Sequence, residues 1–225
     1  MVKQPKRLSR PYRSVFTGGA CRVIATRKSK NRKTGPMVQL WFLRSHVEPH
    51  VASKRGLDQA ICGECPQRHS VGGRCYVVTC EGPLAIHRAT EKSRRKATAA
   101  WRNQPVRIGA YGDPASMPRE RFMQLWAELS PSRWTGYTHA WRRPSAQWLQ
   151  EYCMASVDSE AEAREASAMG WRYFRVRKAG EPLLEGERQC PAEARGVKCV
   201  SCCLCHGGSR GPNVVITEHG SFIRR

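Results

Sequence analysis

The chain has 225 residues, room for one large domain or a domain with a small metal-stapled appendage, and its 40% hydrophobic residues with seven Trp exclude a disordered polymer. Its formal charge of +21 is uneven, because residues 1–47 hold no Asp or Glu; this implies a polyanionic partner, most simply nucleic acid through the basic N-terminal segment, against the plainer alternative of a solvated basic surface. No apolar run approaches the roughly 20 residues that span a bilayer, and no charged-then-apolar signal segment opens the chain, so the expectation is a cytoplasmic protein without a membrane partner.

Three regions follow from the pattern: a basic segment over 1–36, an α/β core over 37–180, and a Cys-rich tail over 181–225 packed on that core. The first region holds a strand over 21–26 and closes on the turn residues Thr34, Gly35 and Pro36. A strand is predicted over 37–43, then loop to Gly56, where Pro49 argues against a good helix around His46 and His50. A Gly-rich, Cys-bearing loop precedes a helix over 84–101, with Pro83 favourable at its first turn.

Residues 106–111 read as a short strand ending in Gly112, Asp113 and Pro114. A helix is predicted over 119–129, with Phe122, Leu125, Trp126 and Leu129 on one face. The pattern then gives a strand over 134–138, a short helix over 146–151, a strand over 152–157, a helix over 159–169 and a strand over 171–176. A last strand falls at 214–217. Alternation at these intervals indicates parallel β/α units, forming an incomplete (β/α) barrel or an open parallel sheet. In either architecture ligands gather at the carboxyl ends of strands, where Asp113, His139 and Asp158 all fall.

Eleven cysteines carry the sharpest chemical signal. Cys62-x2-Cys65-x9-Cys75, with Cys80 shortly after, and Cys190-x8-Cys199-x2-Cys202-x2-Cys205 are spaced as metal ligands. An odd count and CxxC pairs favour metal over a disulfide framework. Three thiolates at Cys62, Cys65 and Cys75, with the aromatic Tyr76 adjacent, suit a [4Fe–4S] cluster whose fourth iron is open to S-adenosylmethionine. The alternative is a zinc site closed by Cys80, His69 or His87. The second group offers four thiols, enough for a structural zinc or an auxiliary cluster, with Cys203 as a substitute and His206 adjacent. Asp113 and His139 are the candidate catalytic residues; the plainer reading of Asp113 is a cap on the following turn. Cys21 and Cys153 read as core thiols. There is no GxxxxGK[ST] or GxGxxG fingerprint.

Several blocks recur in one order from residue 31 onward: Asn31-x-Lys33-Thr34-Gly35-Pro36, Cys62-x2-Cys65-Pro66, Gly73-x-Cys75-Tyr76 and Gly82-Pro83-Leu84-Ala85-Ile86-His87. Gly112-Asp113, Gly136-Tyr137-Thr138-His139, Cys190-Pro191-Ala192, Val197-x-Cys199-x2-Cys202-x-Leu204-Cys205 and His219-Gly220 complete them. In these blocks the chain resembles a bacteriophage family known as gene product 88, which implies a phage or prophage origin and a bacterial cytoplasm. The layout is also similar to radical S-adenosylmethionine enzymes, although their usual spacing is CxxxCxxC. Two function classes follow as expectations: a radical S-adenosylmethionine-like iron–sulfur enzyme acting on a nucleic acid or other anionic substrate, or a non-catalytic, zinc-stabilised nucleic-acid binder serving phage replication or regulation.

Overall fold

The computed structural model describes residues 6–7, 11–26, 33–91 and 101–218, with backbone alone at 6–7 and 90–91. Much of the basic N-terminal segment, the helix end expected over 92–100 and the His219-Gly220 block lie outside the described residues.

Near-continuous apolar runs build the centre. Strands β3 (Ala20–Thr26) and β4 (Val38–Arg44) bury Val23, Ile24, Leu40, Phe42 and Leu43 completely, as strands covered on both faces do. β3 runs antiparallel to β4, and two short strands, β1 (Lys6–Arg7) and β2 (Tyr12–Arg13), pair antiparallel with its other edge. The expectation of uniformly parallel units fails here. A parallel neighbour needs a crossover of a dozen or more residues, and the link over 27–37 is shorter, so the chain returns antiparallel.

From β4 onward every pairing among the described residues is parallel. β5 (Val106–Tyr111) lies beside β4, and β6 (Trp134–Thr135) beside β5. After Gly136 the same stretch continues as β7 (Tyr137–Thr138), now paired with β8 (Met154–Val157), which pairs with β9 (Tyr173–Arg177). The C-terminal segment adds β10 (Glu187–Gln189) and β11 (Asn213–Thr217), in the spatial order β9-β11-β10. Two ladders therefore meet at one stretch, 134–138, and the outer strands β1, β2 and β10 do not pair with one another. The architecture is mixed α/β, with a largely parallel sheet and a Cys-rich C-terminal region. That region does more than pack on the core, since β11 lies inside the ladder.

The helices are short. Pro49 opens α1 (Pro49–Lys54) rather than preventing it, because the first helical position needs no N–H. α2 (Gln59–Cys62) delivers Cys62, and α3 (Gly82–Glu91) follows the cysteine loop. α4 (Arg119–Leu129) buries Phe122, Leu125 and Leu129. Phe122 stacks on Trp126 at 5.6 Å, and Trp126 meets Trp134 edge-on at 5.2 Å, fixing α4 against the start of β6. Residues Pro144–Glu151 form a 3-10 helix, and α5 (Glu160–Ala168) is capped by Ser159, whose hydroxyl accepts from Glu162 N–H. The tail holds two single-turn helices, α6 (Pro191–Ala194) and α7 (Cys199–Cys202). No helix among the described residues is long and apolar enough to cross a membrane.

Two contacts lock the C-terminal strands and the seam. Arg175 of β9 reaches across β11 to Glu187 of β10, donating two hydrogen bonds at 2.7 and 2.8 Å, and both side chains are buried. At the seam, Gly136 N–H donates to the Cys205 carbonyl while its own carbonyl accepts from Met154 N–H. A Cβ at Gly136 would sit 2.8 Å from Cys153 Sγ and 3.1 Å from both Ile108 Cβ and the Tyr152 carbonyl.

We expect Gly136→Ala to cost about 1–3 kcal/mol in urea unfolding, the usual cost of overpacking. Glu187 gives a pH test. Burial pushes its carboxyl up, but the bonds from Arg175 and Leu184 N–H more than offset that and leave it below the ordinary glutamate range. A carboxyl depressed in the folded state contributes stability above about pH 4.3, its unfolded value, and loses it as pH falls through the folded value. Glu187→Ala should therefore cost about 3–5 kcal/mol at pH 7 by leaving Arg175 under-paired. In urea titrations over a pH series, that cost should shrink on the acid side.

Candidate metal and ligand site

The site grows from the carboxyl end of β5. Gly112 turns the chain with φ +76°, and a Cβ there would lie 2.6 Å from the Phe42 carbonyl. This close approach places Asp113 between two elements. Its backbone N–H donates to the Ile61 carbonyl at 2.6 Å, anchoring α2 and so Cys62. Its carboxylate accepts from Ala115 N–H (2.9 Å), His139 N–H (2.8 Å) and the Thr138 hydroxyl (2.9 and 3.0 Å). Asp113 is thus the cap of the Pro114–Ser116 turn and the tie that holds β7's end. Burial pushes its carboxyl up, and these bonds pull against that shift. Three donors thus meet its two oxygens, and the geometry gives Asp113 a positioning role.

The cysteine loop over 56–73 has little apolar content and is organised by one buried cation. Arg68 donates to Asp58 (2.9 Å), to the Gly63 carbonyl (3.1 Å) and to the Gly56 carbonyl (2.8 Å). The tail loop repeats this device with Arg172, whose guanidinium donates to the carbonyls of Leu204 (2.8 Å), His206 (3.1 Å) and Pro212 (2.6 Å). α7 docks on the turn before β4, with Cys199 N–H donating to the Lys33 carbonyl and Val200 N–H to that of Thr34.

A cavity of about 530 Å³ lies between these loops. Strand alternation supplies one wall, with Arg107, Gly109 and Tyr111 from β5 followed by Tyr137, Ser156 and Phe174 from the next strands. Cys62, Cys65, Cys75 and Tyr76 face it from one loop; Cys190, Cys199, Cys202 and Cys205 face it from the tail. His139 and Asp158 also line it, and Asp158 accepts from Gln67 at 2.6 Å. The three strand ends expected to converge, those of β5, β7 and β8, do meet at this cavity, and the end of β10, which the sequence pattern did not give, joins them.

The remaining candidates fall elsewhere. Cys80 is exposed and lies outside the cavity wall, as do His69, His87 and His206. His69 pairs with the Gly73 carbonyl at 3.2 Å, and His206 lies edge-on to Trp134. Cys203 reaches the wall, but its thiol donates back to the Cys199 carbonyl at 3.2 Å. Cys21 and Cys153 are core thiols.

Burial dominates the thiol electrostatics. It pushes Cys65 and Cys205 up to about 12 and Cys62 well above the ordinary thiol range. The thiols also raise one another: Cys65 and Cys75 act on Cys62, while Cys190, Cys199 and Cys202 act on Cys205. Thiols raised in this way keep their protons at neutral pH unless a bound metal displaces them. Among the described residues, no three His, Cys, Asp or Glu side chains converge on one point that would hold a single metal ion. The thiols surround a space instead.

Sequence reasoning missed Arg68, Arg172 and Tyr111. The two arginines were hidden in an overall excess of positive charge, and the buried Tyr111 looked like one more strand aromatic. Comparison with family models, with curated proteins and with solved structures finds no match to this chain.

Asp113→Asn should cost about 1–3 kcal/mol, because the amide's own donors would face N–H donors in a buried site. Urea unfolding of the metal-free protein measures it. An unchanged midpoint would sink the positioning role.

Proposed function

We propose that the chain is an iron–sulfur protein with the working layout of a radical S-adenosylmethionine enzyme and kinship to the gene product 88 family. The observation that carries this reading is that two separate thiol groups, from loops far apart in sequence, open onto one cavity at the ends of parallel strands. A structural zinc needs thiolates about 2.3 Å from one point, whereas an iron–sulfur cluster spreads its thiolates over separate irons.

Cys62, Cys65 and Cys75 would hold the [4Fe–4S] cluster, leaving one iron for S-adenosylmethionine. Cys190, Cys199, Cys202 and Cys205 would hold a second metal group, and Cys80 would hold none. A bound cluster of this kind supplies single electrons for radical formation. The chain's own residues set the conditions. Arg68 and Asp113 fix the Cys62 loop, Arg172 fixes the tail loop, and the apolar Val77, Phe174, Val176 and Ile216 limit water in the cavity. Lys33 and Arg107 in the wall, together with the +21 charge, favour an anionic substrate such as a nucleic acid or nucleotide. The zinc-stabilised nucleic-acid binder is the competing reading, supported by the same charge.

Protein purified without oxygen should be brown, with iron and acid-labile sulfide near four each per cluster, about the content of a [4Fe–4S] unit. Cys75→Ala should lose the first cluster and keep the metal of the tail, while Cys80→Ser should lose nothing. Colourless protein holding only zinc would replace this reading with the nucleic-acid binder.

A further inference from the structure

Tyr111 is buried at the carboxyl end of β5, and its hydroxyl has no hydrogen-bond partner among the described residues. A buried hydroxyl without a partner loses its bonds to water and gains nothing in exchange. Native proteins rarely keep such a group, and one that persists calls for an explanation. Here the residue belongs to the wall of the thiol-lined cavity.

Its placement is built into the strand. β4 and β5 keep register at Gln39 and Arg107, then shift so that Trp41 pairs with Tyr111, leaving β5 with extra residues. Gly109 absorbs the irregularity with φ +69°, and a Cβ there would lie 2.9 Å from the Gly112 carbonyl. Bulges of this kind re-aim side chains beside sites. The charged and titratable groups that bear on the Tyr111 hydroxyl are Cys62, Asp58, Cys75 and Arg68. Asp58 is already taken by Arg68, and Arg68 offers only donors.

Resting on the iron–sulfur reading above, we infer that the Tyr111 hydroxyl is a hydrogen-bond donor to a sulfur of the group held by Cys62, Cys65 and Cys75. Hydrogen bonds to cluster sulfurs set the reduction potential, because they favour the more negative, reduced state. Tyr111 is then a positioning and tuning residue, whose hydroxyl gains its acceptor from the loaded site.

The test compares full-length wild type and Tyr111→Phe, each reconstituted with iron and sulfide under argon and titrated by spectroelectrochemistry. Equal iron and sulfide content with a lower midpoint potential in the variant is the expected result. A second measurement separates this from a structural role: metal-free Tyr111→Phe should melt no lower than metal-free wild type, since it loses only an unpaired hydroxyl. Equal loading with an unshifted potential overturns the inference and leaves the iron–sulfur reading intact. A variant that melts lower without metal also overturns it, by showing that the hydroxyl already has a partner. Wild type that takes up no iron and sulfide overturns both.

Discussion

The absence of a side chain at Gly136 is the constraint on which the two ladders depend. At this one residue the chain leaves its pairing with β5 and takes up pairing with β8, and its N–H turns to the Cys205 carbonyl instead of a neighbouring strand. Cys153, Ile108 and the Tyr152 carbonyl close around the bare Cα. A larger residue would push β5 and the residues leading into β8 apart. The same bond that joins the ladders thus also sets the height of Cys205 in the cavity wall. Fold and site share a hinge point, and neither can shift without the other.

The two cysteine loops meet a second requirement. A loop that presents several thiols to a cavity cannot also bury enough apolar surface to order itself, so its backbone carbonyls need donors from within. Arg68 and Arg172 meet that need in parallel ways, each extending a planar fork into a loop and collecting its carbonyls. Arginine suits this task because its guanidinium carries five fixed donors and keeps its charge when buried. Asp113 plays the complementary part as an acceptor, gathering N–H and O–H donors from two strand ends.

Much of this arrangement was legible in the sequence and the reasons are local. Cysteine spacing marked both thiol groups, and the Gly-Asp-Pro stop marked the end of β5, because each is a short-range signal with few meanings. The plain reading of Asp113 as a cap also came from local chemistry, and its carboxylate does cap the turn; its second duty, holding His139 from 26 residues away, is a tertiary fact no pattern carries. Strands of two or three residues such as β1, β2 and β10 have too few positions to show a period. Pro49 was read by its interior penalty when it occupies a helix start. Tyr111 was invisible for a different reason: its meaning lies in the missing partner of one oxygen, and that is known only when every neighbour is placed.

The tail clarifies what its thiols are for. Read from sequence, the four thiols of residues 181–225 suffice for a structural zinc or for an auxiliary cluster. In the fold, β11 is hydrogen-bonded on both edges, between β9 and β10, and the buried Arg175–Glu187 pair spans all three strands. Arg172 and the Lys33 and Thr34 carbonyls hold the intervening loop. Those contacts attach the tail to the ladder and to the turn before β4. A staple also has no reason to face a cavity, because a structural metal is best closed off from ligands. Cys190, Cys199, Cys202 and Cys205 nevertheless open onto the same space as Cys62, Cys65 and Cys75. The second thiol group therefore shares one cavity wall with the first, and the strands that anchor the tail also set where its thiols stand.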